Sequence, residues 1–235
     1  GPDMAEYAAL HILANERKYD LQRELQGRSE WVGARTTVPG IGSTSDYRRL
    51  STLTLGVLGL GDIGSEIAKT AALGLRMSVV GCRRDATPRE SDSHAGVSHV
   101  YPLKELKDFL ARCDYLVCVL PSTPASRGLL GGDVFEACAS RQPVVINVGR
   151  GDLIPEGAIL TALERGWIRH FVGDVYETEP LPSDSPLWKH PQVTVTPHNS
   201  AVTSANDVVA AFADNLKKFE MGGVRALRHV FDWET

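Results

Sequence analysis

Residues 53–64 read LTLGVLGLGDIG, and this stretch decides the fold. Leu53–Leu58 is a short apolar run rich in branched residues, which is typical of a buried parallel strand. The glycines that follow have the spacing G-x-G-x-x-G: Gly59, Gly61 and Gly64. Ser65–Leu73 then has the composition of a helix. Glycines alone could mark a simple turn, but strand, glycines and helix in this order predict a dinucleotide site, because the helix N-terminus can bind a pyrophosphate.

Length, charge and hydropathy restrict the class of protein. The chain has 235 residues and a net charge of −4, enough length for a large domain with a buried core. Its basic residues are not gathered into long runs, which argues against nucleic acid or an anionic membrane as a partner. No apolar run approaches the length of a membrane span and no signal peptide opens the sequence, so we expect a cytoplasmic protein.

The cysteines fit neither a zinc pattern nor a disulfide framework: Cys82, Cys113, Cys118 and Cys138. Their neighbours are apolar or typical of strands, so we predict buried, reduced thiols and no metal site. Residues 1–4, Gly-Pro-Asp-Met, resemble an expression-tag remnant and are left out of the predicted fold.

The region before the glycine motif is predicted to contain one helix and an arm. Helix formers over Ala5–Gln26 predict a helix that ends at Gly27. The following stretch, to about Leu50, is rich in Gly, Ser, Thr and Arg, yet it has apolar residues to bury: Trp31, Val32, Val38 and Ile41. Two interpretations remain open for it. It is either an arm that packs on the domain or on a second subunit, or a flexible loop.

Strands and helices alternate along the rest of the chain. Further strands are predicted over Met77–Gly81, Tyr115–Leu120, Pro143–Val148, His170–Val175 and Val193–Thr196. Helices are predicted over Leu103–Ala111, Val134–Ala139, Pro155–Arg165 and Ser204–Glu220. This alternation predicts an α/β fold with a doubly wound parallel sheet, the Rossmann architecture of NAD(P)-binding domains.

The residues after the second strand indicate which cofactor is preferred. In such folds an Asp or Glu about twenty residues beyond the glycines binds the adenosine ribose. Here Cys82 stands at that place, and Arg83 and Arg84 follow it. Two guanidinium groups suit a phosphate dianion, so the sequence favours NADP(H) over NAD(H). In the alternative interpretation both arginines are solvated and Asp85 binds the ribose.

Polar residues follow three later strands, at the edge where open α/β sheets place their ligands: Arg150, Glu179 and His198. A lone arginine is usually a surface charge, and a lone histidine is more often structural than catalytic. Three such residues at equivalent strand ends, in a domain with a predicted hydride carrier, indicate a catalytic set. They suit the reduction of a carbonyl group that lies beside a carboxylate.

Each member of this set has a predicted role. His198 can supply the proton that the carbonyl oxygen needs, a contribution typically worth about 10²–10⁴-fold. Glu179, if hydrogen-bonded to the imidazole, would favour its protonated form. Arg150 can bind the substrate carboxylate in a bidentate fork and polarise the carbonyl. Asp174 is placed to orient the nicotinamide carboxamide, with capping of the strand end as the alternative.

The sequence resembles the D-isomer-specific 2-hydroxyacid dehydrogenases over nearly all of Ala5–Trp233. The segments that carry the resemblance are GLGDIG (59–64), LPSTPAS (120–126), NVGRGDLI (147–154), DVYETEPLP (174–182), SPLW (185–188) and TPHNS (196–200). The resemblance implies that Arg150, Glu179 and His198 are the catalytic residues. It implies a cofactor site formed by Gly59, Gly61, Asp62, Ile63, Gly64, Arg83, Arg84, Pro121, Ser126, Val148, Gly149, Arg150, Asp174, His198 and Ser200.

The resemblance also carries expectations about substrate and assembly. With its arginine pair after the second strand, the sequence resembles the NADP-preferring branch of the family, which includes glyoxylate/hydroxypyruvate reductases. The resemblance implies small 2-ketoacids or 2-hydroxyacids as substrates. In the family this domain forms a homodimer. One departure from the family pattern is that Asn199 and Ser200 follow His198, where small Gly or Ala residues are usual.

A second departure concerns domain organisation. Family members carry an N-terminal substrate-binding domain before the helix that begins here near Ala5, and we expect that domain to be absent. We therefore expect a dinucleotide-binding domain over residues 5–200, of which residues 5–50 are the N-terminal helix and dimerisation arm. Residues 201–235 would be a helix and tail that in the family pack on the substrate domain. We expect cofactor binding with poor turnover, and apolar surface on Ser204–Glu220 that is exposed or covered by a second chain. The alternative function is a dehydrogenase-like corepressor or scaffold that uses the dinucleotide as a ligand.

Overall fold

A parallel sheet of seven strands forms the centre of the computed structural model, which describes residues 1–33, 36–38, 42–87 and 89–227. Two short strands, β1 (Thr37–Val38) and β2 (Gly42–Ser43), form a separate antiparallel pair. The strands of the large sheet are β3 (Thr54–Leu58), β4 (Ser78–Arg83), β5 (Val97–Pro102), β6 (Tyr115–Cys118), β7 (Val144–Asn147), β8 (His170–Gly173) and β9 (Val193–Val195). The order in the sheet is β5-β4-β3-β6-β7-β8-β9. Strands β4 and β5 are added on one side of β3, and β6 to β9 on the other side. This reversal of the strand order confirms the predicted doubly wound fold.

Helices connect the strands of this sheet. The α-helices are α1 (Pro2–Glu16), α2 (Tyr19–Gly27), α3 (Asp62–Lys69), α4 (Glu90–His94), α5 (Leu106–Leu110), α6 (Glu156–Glu164) and α7 (Ala205–Gly222). The 3-10 turns are Leu50–Thr52, Leu103–Glu105, Val134–Cys138, Gly151–Leu153, Pro186–Lys189 and Gly223–Ala226, and Thr70–Gly74 is a π-helical turn.

Apolar cores form on both faces of the sheet, as a doubly wound fold requires. Strand β6 shows how the sequence supplies both, because alternate side chains of a strand point to opposite faces. Tyr115 and Val117 lie in the core that α1 and α3 cover, whereas Leu116 and Cys118 lie in the core that α5 and α6 cover. All four residues are completely buried. A central parallel strand therefore appears in the sequence as a continuous apolar run.

The prediction of one N-terminal helix over Ala5–Gln26 was wrong, because the helix breaks at Lys18. This residue has a φ of 54°, in the left-handed region, and α2 begins after it. Residues 2–4, set aside as a tag remnant, form the first turn of α1, and Met4 packs against the core. In the predicted arm, Ile41 lies outside the described residues, and Trp31 is 97% exposed.

Besides the short pair β1 and β2, the strand β5 and the helix α4 were not predicted, and the helix α3 begins earlier than predicted. Edge strand β5 is mostly half-exposed and carries Ser98 and His99, so it lacks the apolar run of a buried strand. Helix α4 has only five residues, of which Asp92 alone is buried, so its sequence shows no apolar periodicity. Helix α3 begins at Asp62, three residues before the predicted start at Ser65, because Gly64 lies inside the helix rather than ahead of it.

The four cysteines are free and buried, as predicted. Burial raises the pKa of Cys82 and of Cys138 to about 12, so both thiols are protonated at neutral pH.

The chain divides into two compact units, Gly1–Ser200 and Ala201–Thr235. Within the second unit, α7 has no buried residue. Its exposed large apolar side chains are Val208, Val209, Phe212, Leu216, Phe219 and Met221. Among the residues that the structure describes, no helix has both the length and the apolar character needed to cross a membrane.

Candidate active site

The glycine turn between β3 and α3 leaves an open space at the start of the helix. Gly59 has a φ of 108°, and a Cβ at Gly64 would lie 1.9 Å from the carbonyl oxygen of Gly59. Both glycines are therefore required by the backbone itself. Gly61 differs, because a Cβ there would meet no described heavy atom within 4 Å, and its φ is −92°. The turn thus fits the pyrophosphate of a dinucleotide, which needs close approach of a ligand to the helix N-terminus.

A cavity of about 250 Å³ lies beside this turn, past the carboxyl ends of β3 and β4. It is lined by apolar side chains, by both predicted arginines and by the loop after β6; the lining includes Leu58, Leu103, Leu120 and Leu129 together with Arg83, Arg84, Pro121 and Ser126. The Ser126 hydroxyl donates to the carbonyl oxygen of Pro121 at 2.6 Å, so it fixes the shape of this loop. The structure therefore brings four of the predicted cofactor residues to one site.

The two arginines of this cavity have different environments. Arg83 is only 7% exposed, and it donates to both carboxylate oxygens of Asp92, at 2.7 and 2.9 Å. Its remaining donors reach the carbonyl oxygens of Asp85, at 2.7 Å, and of Thr87. Arg84 is exposed, and within the described part of the chain its guanidinium forms no ion pair. Arg83 thus holds the loop after β4, whereas Arg84 is presented to solvent.

Asp85, the alternative ribose-binding residue, already has hydrogen-bond partners within its own loop. Its Oδ1 accepts from the backbone N–H of Thr87 at 2.9 Å and from the Thr87 hydroxyl at 2.7 Å. These hydrogen bonds lower the pKa of the Asp85 carboxyl, so it is ionised at neutral pH. Asp92, which the sequence interpretation missed, is the carboxylate that pairs with Arg83. Its position in a short polar helix gave no signal for this contact.

His198 and Glu179 form a hydrogen-bonded pair at the carboxyl edge of the sheet. Nδ1 of His198 lies 2.7 Å from Oε2 of Glu179, and Oε1 of Glu179 accepts from the backbone N–H of Tyr176 at 2.9 Å. His198 has a φ of 52°, a left-handed conformation that is uncommon for a non-glycine residue. Its side chain is 52% exposed, so the ring is accessible from solvent. The pairing that the sequence suggested is present.

Arg150 follows β7, the neighbour of β8 in the sheet, and is therefore on the same edge. Its side chain is exposed and donates to the carbonyl oxygen of Gly149 at 2.6 Å, and it has no ion pair within the described chain. The next residue, Gly151, packs so closely that a Cβ there would lie 1.9 Å from the carbonyl carbon of Tyr176. This contact places the loop of Arg150 against the loop of Glu179.

Val148 and Gly149, two of the predicted cofactor residues, shape the backbone before Arg150. Val148 is 2% exposed and packs in the core, and the N–H of Gly149 donates to Oδ1 of Asn147 at 3.2 Å. A Cβ at Gly149 would lie 2.7 Å from the carbonyl oxygen of Leu120, so glycine lets the loops after β6 and β7 approach each other.

Asp174 is fully buried, and its carboxylate holds the segment around His198. Oδ1 accepts from the Thr196 hydroxyl at 2.5 Å and from the N–H of Asn199 at 2.9 Å, and Oδ2 accepts from the N–H of Ser200 at 2.9 Å. Burial alone would raise the pKa of Asp174, but these hydrogen bonds outweigh it and lower the pKa. The capping alternative is therefore the one that the structure displays. Contact with the nicotinamide carboxamide stays a prediction.

Comparison with known proteins agrees with this fold. A family model described as the NAD-binding domain of D-isomer specific 2-hydroxyacid dehydrogenases matches residues 10–200. A probable 2-hydroxyacid dehydrogenase from Rhizobium etli, solved with NADP, HEPES and L(+)-tartaric acid, is 31% identical with a TM-score of 0.81. An NADPH-dependent glyoxylate/hydroxypyruvate reductase from Sinorhizobium meliloti, solved with NADP and sulfate, is 29% identical with a TM-score of 0.81. Each alignment covers 98% of this chain and 68% of the other protein.

A third similar structure is a D-isomer specific 2-hydroxyacid dehydrogenase family protein from Aeromonas salmonicida. It is 37% identical with a TM-score of 0.77, over 94% of this chain and 66% of that one. Fold, glycine turn and comparisons together define a Rossmann-fold oxidoreductase of the NAD(P)-dependent dehydrogenase class. The chain belongs to the D-isomer specific 2-hydroxyacid dehydrogenase family, as its sequence resemblance predicted, and it carries that family's NAD-binding domain.

Proposed function

We propose that this protein binds NADP(H) and reduces a small 2-ketoacid, with Arg150, Glu179 and His198 as the catalytic residues. The observation that carries the proposal is the 2.7 Å contact between His198 and Glu179 on the edge of the sheet where Arg150 also lies. Glyoxylate and hydroxypyruvate are the substrates to test first, because the similar Sinorhizobium meliloti protein is a glyoxylate/hydroxypyruvate reductase.

The three residues divide the chemistry between them. When bound, the nicotinamide supplies the hydride. Glu179 accepts a hydrogen bond from the Nδ1–H of His198, which fixes the ring and favours its protonated form. The Nε2–H of that imidazolium can then donate its proton to the carbonyl oxygen. Arg150 binds the substrate carboxylate through two parallel hydrogen bonds and stabilises the negative charge that develops beside it. In the oxidative direction the same imidazole accepts the proton.

Arg84 is the residue that we propose binds the 2′-phosphate of NADP(H). Its guanidinium is exposed beside the cavity after β4, and the described chain offers it no carboxylate partner. Arg83 would have to give up its bidentate pair with Asp92 to bind a phosphate, which would leave a buried carboxylate unpaired. The sequence predicted the same role for both arginines. These contacts support two different roles, in which Arg84 binds the phosphate and Arg83 holds the loop after β4.

The remaining partner predictions are also proposals. We infer a homodimer because Trp31, at 97% exposure, extends beside a cavity of about 680 Å³ that Leu25 and Tyr47 also line. An unpaired surface of this kind is suited to a second copy of the chain. Multi-angle light scattering on the wild type and on Trp31→Ser tests the dimer, which the substitution should weaken.

We also propose a cytosolic location, with which the free, buried thiols agree.

Gly61→Ala tests the cofactor site itself. Because the added methyl group meets no described atom, the free energy of unfolding should stay within about 0.5 kcal/mol of wild type, the range of neutral surface changes. The methyl group would occupy the place of the pyrophosphate, so the dissociation constant for NADPH should rise at least about tenfold. Calorimetric titration measures it. Gly74→Ala is the matched control, because its Cβ also meets no described atom but lies away from the turn. Wild-type affinity in Gly61→Ala would contradict the proposal.

A further inference from the structure

A chain of hydrogen bonds connects the N-terminal helix to the catalytic edge of the sheet. The Tyr7 hydroxyl, on α1, lies 2.7 Å from Oγ1 of Thr196, and Oγ1 of Thr196 lies 2.5 Å from Oδ1 of Asp174. The ionised carboxylate can only accept hydrogen bonds, so the Thr196 proton must be donated to Asp174. The Tyr7 proton is then donated to Thr196. The direction of the whole chain is thereby fixed.

Asp174 in turn holds three consecutive residues, His198, Asn199 and Ser200, defined here as the His198 segment. The backbone N–H of His198 donates to the Asp174 carbonyl oxygen at 2.9 Å. The next two N–H groups donate to the two carboxylate oxygens of Asp174, each at 2.9 Å. One buried residue, Asp174, therefore accepts all three of these backbone hydrogen bonds, one at its main-chain carbonyl and two at its carboxylate.

The His198 segment needs such support. A φ of 52° at His198 is unfavourable for a residue with a Cβ, so this backbone keeps its shape only when its surroundings impose it. Asp174 imposes it only while its carboxylate keeps one orientation. Thr196 fixes Oδ1 from the side of β9, and Tyr7 fixes the Thr196 hydroxyl. The Tyr7 ring is itself held by its tilted contact with His11, with ring centroids 4.4 Å apart.

We propose that Tyr7 and Thr196 are positioning residues for His198, acting through the orientation of the Asp174 carboxylate. Each residue acts through the next member of the chain: Tyr7 through Thr196, and Thr196 through Asp174. The inference rests on the proposed function only in taking His198 as the residue that donates the proton. The geometry that it asserts is a property of the folded chain and is measurable without cofactor or substrate.

Hydrogen exchange of the backbone amides at residues 198–200 tests the inference, because these are the amides that donate to Asp174. In Thr196→Val, a change that keeps the side-chain shape, the Asp174 carboxylate loses its hydroxyl donor, and exchange at the three amides should accelerate about 10- to 100-fold. Thr196→Ser restores the hydroxyl and should bring exchange back to within about threefold of wild type. Tyr7→Phe should accelerate exchange at these amides less than Thr196→Val does, by about threefold or more, because Thr196 keeps its bond to Asp174.

Thr194→Val is the matched control. Thr194 lies two residues earlier on β9, and its hydroxyl contacts Nε2 of His170 at 2.9 Å rather than Asp174. Its exchange at residues 198–200 should equal that of wild type. Unchanged exchange in Thr196→Val overturns the inference. Failure of Thr196→Ser to restore protection also overturns it, because a hydroxyl at this position would then not be what holds the carboxylate. Unchanged exchange in Tyr7→Phe removes Tyr7 from the chain.

Titration of the same variants with NADPH separates this inference from the proposed function. If exchange responds as expected but the wild type binds neither NADPH nor NADH, the positioning chain stands and the proposed function falls. If the wild type binds NADPH but exchange in Thr196→Val is unchanged, the proposed function stands and the positioning chain falls.

Discussion

Nδ1 of His198 lies 2.7 Å from Oε2 of Glu179, and the other carboxylate oxygen of Glu179 accepts a backbone N–H from Tyr176. The carboxylate is thus held from one side by the main chain and from the other by the imidazole. A histidine whose Nδ1 is bound in this way presents Nε2 as the nitrogen free for proton transfer. In the proposed mechanism, His198 therefore moves the proton and Glu179 orients the imidazole.

Replacement of His198 should therefore abolish reduction without loss of the cofactor. In His198→Ala, the rate of NADPH oxidation with glyoxylate or hydroxypyruvate should fall about 10²–10⁴-fold, the usual worth of a general acid. The dissociation constant for NADPH should stay within about threefold of wild type, a change smaller than the loss of one hydrogen bond. Glu179→Gln should lower the rate less, since the amide can still orient the ring. Glu177→Gln changes a carboxylate two residues away and should leave the rate unchanged. Retained turnover in His198→Ala would remove this residue from the mechanism.

Arg84→Ala should separate the two nicotinamide nucleotides. Removal of a guanidinium that binds the 2′-phosphate should raise the dissociation constant for NADPH about tenfold or more and change that for NADH by less than about twofold. Side-by-side titration measures both, and NADH is the internal control. Arg83→Ala should instead lower the free energy of unfolding by about 2–4 kcal/mol, because Asp92 is left buried and unpaired. Equal weakening of both nucleotides in Arg84→Ala would refute the assignment.

The sequence predicted the architecture and the edge of the sheet where the proposed catalytic residues lie, but not the contacts that hold them. Central strands such as β6 are apolar on both faces, so they were visible as continuous runs, and residues after strand ends meet at one edge of a parallel sheet. The pair of Arg83 and Asp92 was not visible, because it depends on the turn between β4 and a short polar helix. The contact of Tyr7 with Thr196 joins residues 189 positions apart, and no local pattern encodes it.

Glu16 should make stability depend on pH in the acid range. This buried residue accepts hydrogen bonds from Arg48, from Arg169 and from the Tyr115 hydroxyl. Burial alone would raise its pKa, but the hydrogen bonds from Arg48 and Tyr115 lower the pKa from 4.5 to about 2. The unfolded chain thus binds a proton at a pH where the folded chain does not, so the stabilisation is complete above pH 4.5 and is lost as the pH falls toward 2.

Glu16→Gln should consequently lower the free energy of unfolding by about 2–3 kcal/mol at neutral pH. The difference from wild type should shrink as the pH falls below 4.5. Urea denaturation at a series of pH values measures it. Glu24→Gln is the control, because Glu24 pairs with Arg28 on the surface, where both side chains are 49% exposed, and should change stability by less than about 0.5 kcal/mol. A difference for Glu16→Gln that is independent of pH would show that the carboxylate charge is not its source.

Gly151→Ala should disturb the alignment of the catalytic loops. The added Cβ would lie 1.9 Å from the carbonyl carbon of Tyr176 and 2.0 Å from its oxygen, and backbone atoms cannot rotate away as a flexible side chain can. Either the loop of Arg150 or the loop of Glu179 must shift. We expect a loss of about 2 kcal/mol or more in the free energy of unfolding, in the range found for overpacking, and a lower rate of reduction. Gly157→Ala, in α6, meets no described atom within 4 Å and should instead stabilise the protein by about 0.5–1 kcal/mol. If both substitutions have the same effect, Gly151 is not in the close contact with Tyr176 that places the loop of Arg150 against the loop of Glu179.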